Sequence, residues 1–309
     1  MRDLLRYLLN RLAWMVLTVW LVYTASFFLM RSVPGNPFSS ERNVPPAIER
    51  QLKARYNLDA PIFDQYIQYA AGILTRGDLG WCIRLEDYSV NQVLAEGFPV
   101  SASLAIFGLV FAIGLGIPAG VVSAVYRGSA ADTGMMAAAV LGIAIPNFVL
   151  ASLAILLFVF IIPIFPAGGW GTLSQVVLPA ICLGAPVAAY IARLTRAGML
   201  EVLTKEHVRT AFAKGLSKRA VMMRHVLPGA MLPVASYLGP ATAGVLTGSL
   251  VLEKIFAIPG MGSHFIAAAT QRDYTLAMGM VLTYTVLLFV MNTLVDISYA
   301  VIDPRVKLN

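Results

Sequence analysis

From Thr133 to Ala192 the chain runs for 60 residues without one charged side chain. A water-soluble domain places charge on roughly a quarter of its positions, so this tract cannot present its surface to water alone. A hydrocarbon layer about 30 Å thick takes about 20 helical residues to cross. The tract is too long for one crossing and is broken by PIFPAGGWGT at Pro163 to Thr172. It therefore predicts two spans, the second beginning near Val176. Four further uncharged runs are Leu12 to Met30, Gly97 to Tyr126, Val226 to Leu252 and Tyr274 to Val295. With a mean hydropathy of +0.75 and only 13% charged residues, the chain is expected to be an all-α, polytopic membrane protein of six transmembrane helices.

The first run follows Arg2, Arg6 and Arg11, but its 19 apolar residues exceed the about 7–15 of a signal-peptide core, and no small-residue cleavage site follows. It is expected to be a retained anchor. Six spans place both termini on one side. With the N-terminus inside, inner segments hold 14 of the 23 Lys and Arg, and the outer nine are balanced by ten acids. The positive-inside rule then favours cytoplasmic N- and C-termini, and the net charge of +7 reflects topology rather than a nucleic-acid partner.

Three regions are expected: an anchor over 1–31, an extracytoplasmic insertion over 32–96, and a membrane core over 97–303. The insertion has helical apolar spacing at Ile48, Leu52 and Tyr56, then at Ile62, Tyr66, Tyr69 and Ile73, which predicts a small helical subdomain. Cys82 lies in this outer part and Cys182 in a span, so they are not expected to pair. GIPAG (Gly116 to Gly120), IPN (Ile145 to Asn147), GAP (Gly184 to Pro186) and GPATAG (Gly239 to Gly244) bring small residues and prolines into the spans, where they allow close helix approach.

Intramembrane ionisable groups are scarce. Asp296 alone falls in a span, near its inner end, and is expected to pair with Arg193 or Arg196. Ion-coupled carriers keep carboxylates or histidines at depth, so energy is expected to come from elsewhere. His207 and His225 have no partner at zinc-ligand spacing, and no metal site is expected. Paired Asp, HExxH or Ser/His sets that would mark an intramembrane enzyme do not occur. His264 is read as a loop residue, and Trp14, Trp20, Trp81 and Trp170 as interfacial or packing residues.

One segment breaks the apolar pattern. Arg209, Lys214, Lys218, Arg219, Arg224 and His225 crowd into RTAFAKGLSKRAVMMRH immediately before the fifth run. Val208, Ala211, Phe212, Gly215 and Leu216 recur at helical spacing and are expected to share one face. Gly215 is costly inside a helix and is expected to end one; Pro228 and Pro233 are expected to open the fifth span. Such a segment could lie on an anionic membrane surface or insert its apolar face into a groove of a soluble partner; spacing leaves both open.

The same residues resemble the cytoplasmic loop of binding-protein-dependent ABC importer permeases, whose pattern is EAA, three residues, Gly, nine residues, Ile, one residue, Leu-Pro. Arg209-Thr210-Ala211 stands for EAA, Gly215 follows after three residues, and His225 precedes Val226-Leu227-Pro228 after nine more. Glu, Ala and Ile of the pattern are replaced by Arg209, Thr210 and His225. PGNP (Pro34 to Pro37), FSSERNVPP (Phe38 to Pro46), GDLG (Gly77 to Gly80), FPAGGW (Phe165 to Trp170) and RLTRAGMLEVL (Arg193 to Leu203) extend the resemblance. So do SYLGPATAGVLTGSLVLE (Ser236 to Glu253), EKIFAIPGMG (Glu253 to Gly262), RDY (Arg272 to Tyr274) and DISYAVIDP (Asp296 to Pro304). Together they are similar to the B-type permease of oligopeptide and dipeptide importers, the oligopeptide branch above all.

The resemblance implies a type I ABC importer permease fold in a bacterial inner membrane. Its implied partners are a homologous second permease, two cytoplasmic ATP-binding subunits and an extracytoplasmic peptide-binding protein docking on the outer segments. It implies a coupling loop over 197–228, with Arg209, Thr210, Ala211, Phe212, Ala213, Lys214, Gly215 and Leu216 contacting the ATPase. The sequence holds no GxxxxGK[ST] and no Gly-Lys pair, so ATP and Mg belong to the partners and this chain is expected to bind no cofactor and catalyse nothing. Gly215→Trp and Ala211→Asp are expected to stop transport while the chain stays inserted. Nickel and glutathione importers are the alternative substrate classes, and an ion-coupled secondary transporter the alternative mechanism.

Overall fold

The computed structural model describes residues 2–32, 59–85 and 87–302. Among them the chain is helical with no strand. Five helices are long and apolar enough to cross a membrane, and a bent pair makes a sixth if counted as one span. In chain order the α-helices are α1 (Arg2–Ser32), α2 (Ile62–Arg76), α3 (Val90–Val125), α4 (Ala130–Ala144), α5 (Asn147–Ile155) and α6 (Leu173–Val202). There follow α7 (Glu206–Ala213), α8 (Lys218–Val221), α9 (Leu227–Gly248), α10 (Leu250–Ile255), α11 (Met261–Gln271) and α12 (Tyr274–Ile302).

The third span is not straight. α4 and the helix running from Asn147 to Ile161 meet at 108°. Ile145 is extended at φ −83° and ψ 123°, and Pro146 at φ −58° starts α5. Proline disfavours helical backbone in the residue before it and has no N–H to continue the ladder, so the IPN stretch turns the chain. The break at Pro163 to Thr172 lies where the sequence places it, closed by a capping box from Thr172 to Gln175. Past it, α6 outruns its uncharged stretch and carries Arg193 and Arg196 inside the helix. The fifth span likewise begins at Lys218, ten residues before Pro228, and widens to a π-type turn over Met222–Val226, next to the proline that cannot donate.

The chain divides into two compact units. The first comprises Met1–Val100, Pro259–Val290 and Leu308–Asn309. In it α2 lies against α1 through Tyr66, Tyr69 and Ile73, packed on Tyr23 and Phe27. Tyr23 Oη donates to the Tyr66 carbonyl at 2.6 Å, and Arg31 stacks on Phe27 at 3.7 Å while donating to Gln65 Oε1. The helical reading of the insertion holds for Ile62 to Ile73; Ile48, Leu52 and Tyr56, PGNP and FSSERNVPP lie outside the described residues. The RDY motif is a fastener: the buried Asp273 carboxylate accepts the backbone N–H groups of Ile83 and Arg84, each at 2.9 Å, and of Leu276 at 3.0 Å. It thereby holds the loop after GDLG to the start of α12.

Cys82 and Cys182 are both buried and neither is in a disulfide. Burial, with the nearby Asp273 charge second, pushes the Cys82 thiol up to about 12. At pH 8 its thiolate fraction is then about 1000-fold below that of a free cysteine near 9, so alkylation is correspondingly slow. Peptide mapping after maleimide treatment is expected to find Cys82 unmodified in the folded chain at pH 8 and labelled after denaturation.

The second unit comprises Ser101–Ile258 and Met291–Lys307. α3 and α6 touch backbone to backbone here: a Cβ at Gly120 would lie 2.5 Å from the Ala192 carbonyl, and one at Gly184 2.3 Å from the Gly108 carbonyl. Those approaches explain two of the small-residue motifs, since any side chain would force the helices apart. α9 packs on the other side of α6, with Tyr190 stacked on Tyr237 at 4.8 Å.

Candidate functional site: the segment between α6 and α9

α6 ends at Val202, a tight turn follows, and α7 occupies Glu206–Ala213. Its end has the hydrogen bonds of a Schellman motif: Leu216 N–H to the Ala211 carbonyl at 3.4 Å and Gly215 N–H to the Phe212 carbonyl at 2.9 Å. Gly215 sits at φ +75°, the left-handed region that glycine occupies without strain. The Ser217 hydroxyl then caps α8. Gly215 therefore ends a helix, as its cost inside one requires.

The expected single apolar face is divided. Val208 is 0% and Ala211 4% exposed, whereas Phe212 is 43% and Leu216 41% exposed. At about 100° per residue, Phe212 lies about 40° from Val208 and about 100° from Ala211, so it sits at the rim of the arc and its exposure is set by the neighbours that cover Val208 and Ala211. Leu216 falls beyond the end of α7. Arg209, Thr210, Ala213, Lys214 and Gly215 are all exposed. Val208 and Ala211 instead join Met199 and Val202 of α6, Val221, Met222 and Val226 of the following turns, Ala230 of α9 and Ala124 of α3 in one buried cluster. The exposed Phe212 thus rides on a short helix keyed directly into three membrane helices, with the exposed Leu216 just past its end. Arg209 Nη1 meets Glu206 Oε1 at 3.1 Å with both side chains largely exposed, a contact that solvent screens.

No atom lies within 4 Å of a Cβ added at Gly215, so conformation alone limits substitution there. Gly215→Asn is expected to leave the thermal stability of the purified chain nearly unchanged, because Asn tolerates the left-handed region. Gly215→Val is expected to cost about 1–2 kcal/mol, read as a lower melting temperature.

One element of this neighbourhood escapes sequence reasoning. Asp132, in the first turn of α4, is 4% exposed. Its Oδ1 accepts Arg196 Nε at 2.7 Å, its Oδ2 accepts Arg196 Nη2 at 2.9 Å and the Gly128 N–H at 2.9 Å, and the buried Ser123 hydroxyl donates to Oδ1. Arg196, one of the two cations expected to pair with Asp296, binds Asp132. The signal was a lone acid bordering an uncharged tract, which a search for charges inside spans passes over. Among the described residues no group of three or more His, Cys, Asp or Glu side chains could hold a metal ion.

Two family models match the chain. The binding-protein-dependent transport system inner membrane component covers residues 116–308, and its N-terminal membrane component covers 4–105. The dipeptide transport system permease protein DppB of Bacillus subtilis is 44% identical over 304 residues, 98% of each chain. The oligopeptide transport system permease protein OppB of Escherichia coli K12 is 41% identical over 306 residues, 98% of this chain and 100% of that one. Among solved structures, the MetNI methionine ABC transporter in an inward-facing conformation superposes with a TM-score of 0.52 at 19% identity, over 67% of this chain and 96% of that one. An amino acid ABC transporter superposes with a TM-score of 0.51 at 16% identity, over 67% and 93%. Those two likenesses are of fold. With full-length identity above 40% and a family model over most of its length, the chain belongs to the binding-protein-dependent transport system inner membrane components, the multi-pass permease subunits of ABC transporters.

Proposed function

We propose that this chain is one of two homologous permease subunits of an ATP-driven importer of di- and oligopeptides. The observation that carries the reading is its end-to-end identity of 44% and 41% with permeases named for dipeptide and oligopeptide transport. The N- and C-termini lie in the cytoplasm, following the Lys and Arg bias of the short loops. The anchor (1–31) and insertion (32–96) precede a core (97–303) whose coupling loop is 197–228. In that loop Arg209 to Leu216 meet an ATP-binding subunit, and Phe212 and Leu216, exposed at 43% and 41%, enter its groove.

Two such subunits hold ATP and Mg; this chain contributes no nucleotide contact. An extracytoplasmic binding protein selects the peptide and docks on the outer segments, 32–96 and 253–273. Closure of the ATPases moves α7, and through the cluster of Met199, Val202, Val208 and Ala211 it moves α3, α6 and α9. The bundle is thus a two-state element biased by contact at one end and by the loaded binding protein at the other. Purification from native membranes in mild detergent is the test. Recovery of a second permease, two Walker-motif proteins and ATP hydrolysis raised by peptide-loaded binding protein is expected. Recovery of the chain alone, without ATPase activity, would overturn the reading.

A further inference from the structure

We propose that the Asp132–Arg196 ion pair is the latch that makes α3 and α4 follow the coupling segment. The inference rests on the importer reading above and names positioning residues for it.

The carboxylate of Asp132 is the meeting point of three pieces of chain. Ser123 reaches it from the last turns of α3, the Gly128 N–H from the α3–α4 turn, and the Arg196 guanidinium from α6 with both oxygens engaged. Asp132 itself opens α4, where its backbone N–H is also capped by Ser129. Within one and two turns beyond Arg196, Met199 and Val202 share a buried cluster with Val208 and Ala211 of α7. Ala124, next to Ser123, is buried in that same cluster, with Val121 and Val125 packed against it. A displacement of α7 therefore acts on α6 within one turn of Arg196, and Arg196 hands it to the α3–α4 turn.

Asp132 is buried while Arg196 keeps 27% of its side chain exposed, so the pair gains little net stability once the carboxylate's lost hydration is set against its contacts. What it supplies is geometry, since a two-pronged guanidinium fixes its carboxylate in plane and distance. Dispersion contacts among alanines and valines have no such register. Beside the pair, Met136, Ala137, Val140 and Leu141 of α4 line an open groove together with Arg196. The bend at Ile145 then separates α4 from α5, so a rotation delivered at Asp132 can swing the first arm alone.

The experiment uses the whole transporter in lipid nanodiscs and proteoliposomes, reading peptide imported per ATP hydrolysed. Asp132→Leu combined with Arg196→Met removes both charges while keeping the volume. The latch predicts that this pair assembles with its partners and melts near the parent temperature, yet imports about tenfold less peptide per ATP, within the range of coupling between distant sites. Asp132→Glu, which keeps the ion pair, is expected to retain most of the yield. A doubly apolar variant with the parent's yield per ATP would show the pair to be packing only and overturn the latch. If the doubly apolar variant loses assembly, the yield of Arg196→Lys decides: a one-pronged ammonium should lower it if register matters, and an unchanged yield overturns the proposal. Phe212→Asp in parallel separates the two readings. Full transport by that variant would remove the coupling segment and the latch with it, whereas loss in Phe212→Asp beside full yield in the doubly apolar variant would leave the importer standing without its latch.

Discussion

Phe212→Asp is expected to abolish ATP-driven uptake while leaving the chain folded in the membrane. The side chain is 43% exposed and is not a member of the buried cluster formed by Met199, Val202, Val208 and Ala211, so its loss removes little from the fold. An aromatic anchor seated in a partner's pocket commonly accounts for 2 kcal/mol or more of an interface, about 30-fold or more in affinity. A carboxylate in its place would also have to be desolvated on docking. ATPase subunits should therefore wash off the purified variant at concentrations where they stay on the parent, with melting temperature unchanged. Phe212→Tyr, which keeps the ring, is expected to retain uptake. An aspartate variant that holds its ATPase subunits and imports peptide normally would remove Phe212 from the docking surface.

Much of this architecture was legible in the residues, and what was not has physical reasons. Uncharged tracts such as Gly97 to Tyr126 can only be spans, because a bilayer gives them a single stable environment. The turn at Gly215 was legible from the cost of glycine in a helix. The ends of the spans were not. α6 passes through Arg193 and Arg196 because a charge ends a hydrophobic tract without ending a helix, and Arg196 has Asp132 within 2.7 Å to neutralise it. IPN was visible as small-residue and proline punctuation, but the 108° turn there depends on Ile145 adopting an extended conformation that spacing cannot display. The division of α7 into Val208 and Ala211 on one side and Phe212 and Leu216 on the other needed the neighbours. Periodicity reports that apolar residues share an arc, and only Met199, Val202 and Met222 decide which part of that arc is covered.

That division changes what Ala211→Asp measures. Read from spacing together with the family resemblance, Ala211 belongs to a docking face, and a charge there should spoil a partner's contact in a well-inserted chain. In the fold Ala211 is 4% exposed and encircled by Val208, Val221, Met222 and Val226. A carboxylate placed among them has no cation in the cluster to meet it, and an uncompensated buried charge costs on the order of several kcal/mol. Membrane domains, like soluble ones, have only a modest margin to lose. Ala211→Asp is accordingly expected to lower the melting temperature steeply and to cut the yield of monodisperse chain in detergent, before any partner is added. Ala213→Asp, two residues on and exposed, should leave both unchanged. A stable, full-yield Ala211→Asp chain would place Ala211 outside the buried cluster and return the whole apolar face to the partner. The expected pair of results instead means that α7 keys one edge into its own membrane helices and leaves the other uncovered, the arrangement a short helix needs if it is to carry force from a partner proposed to dock there.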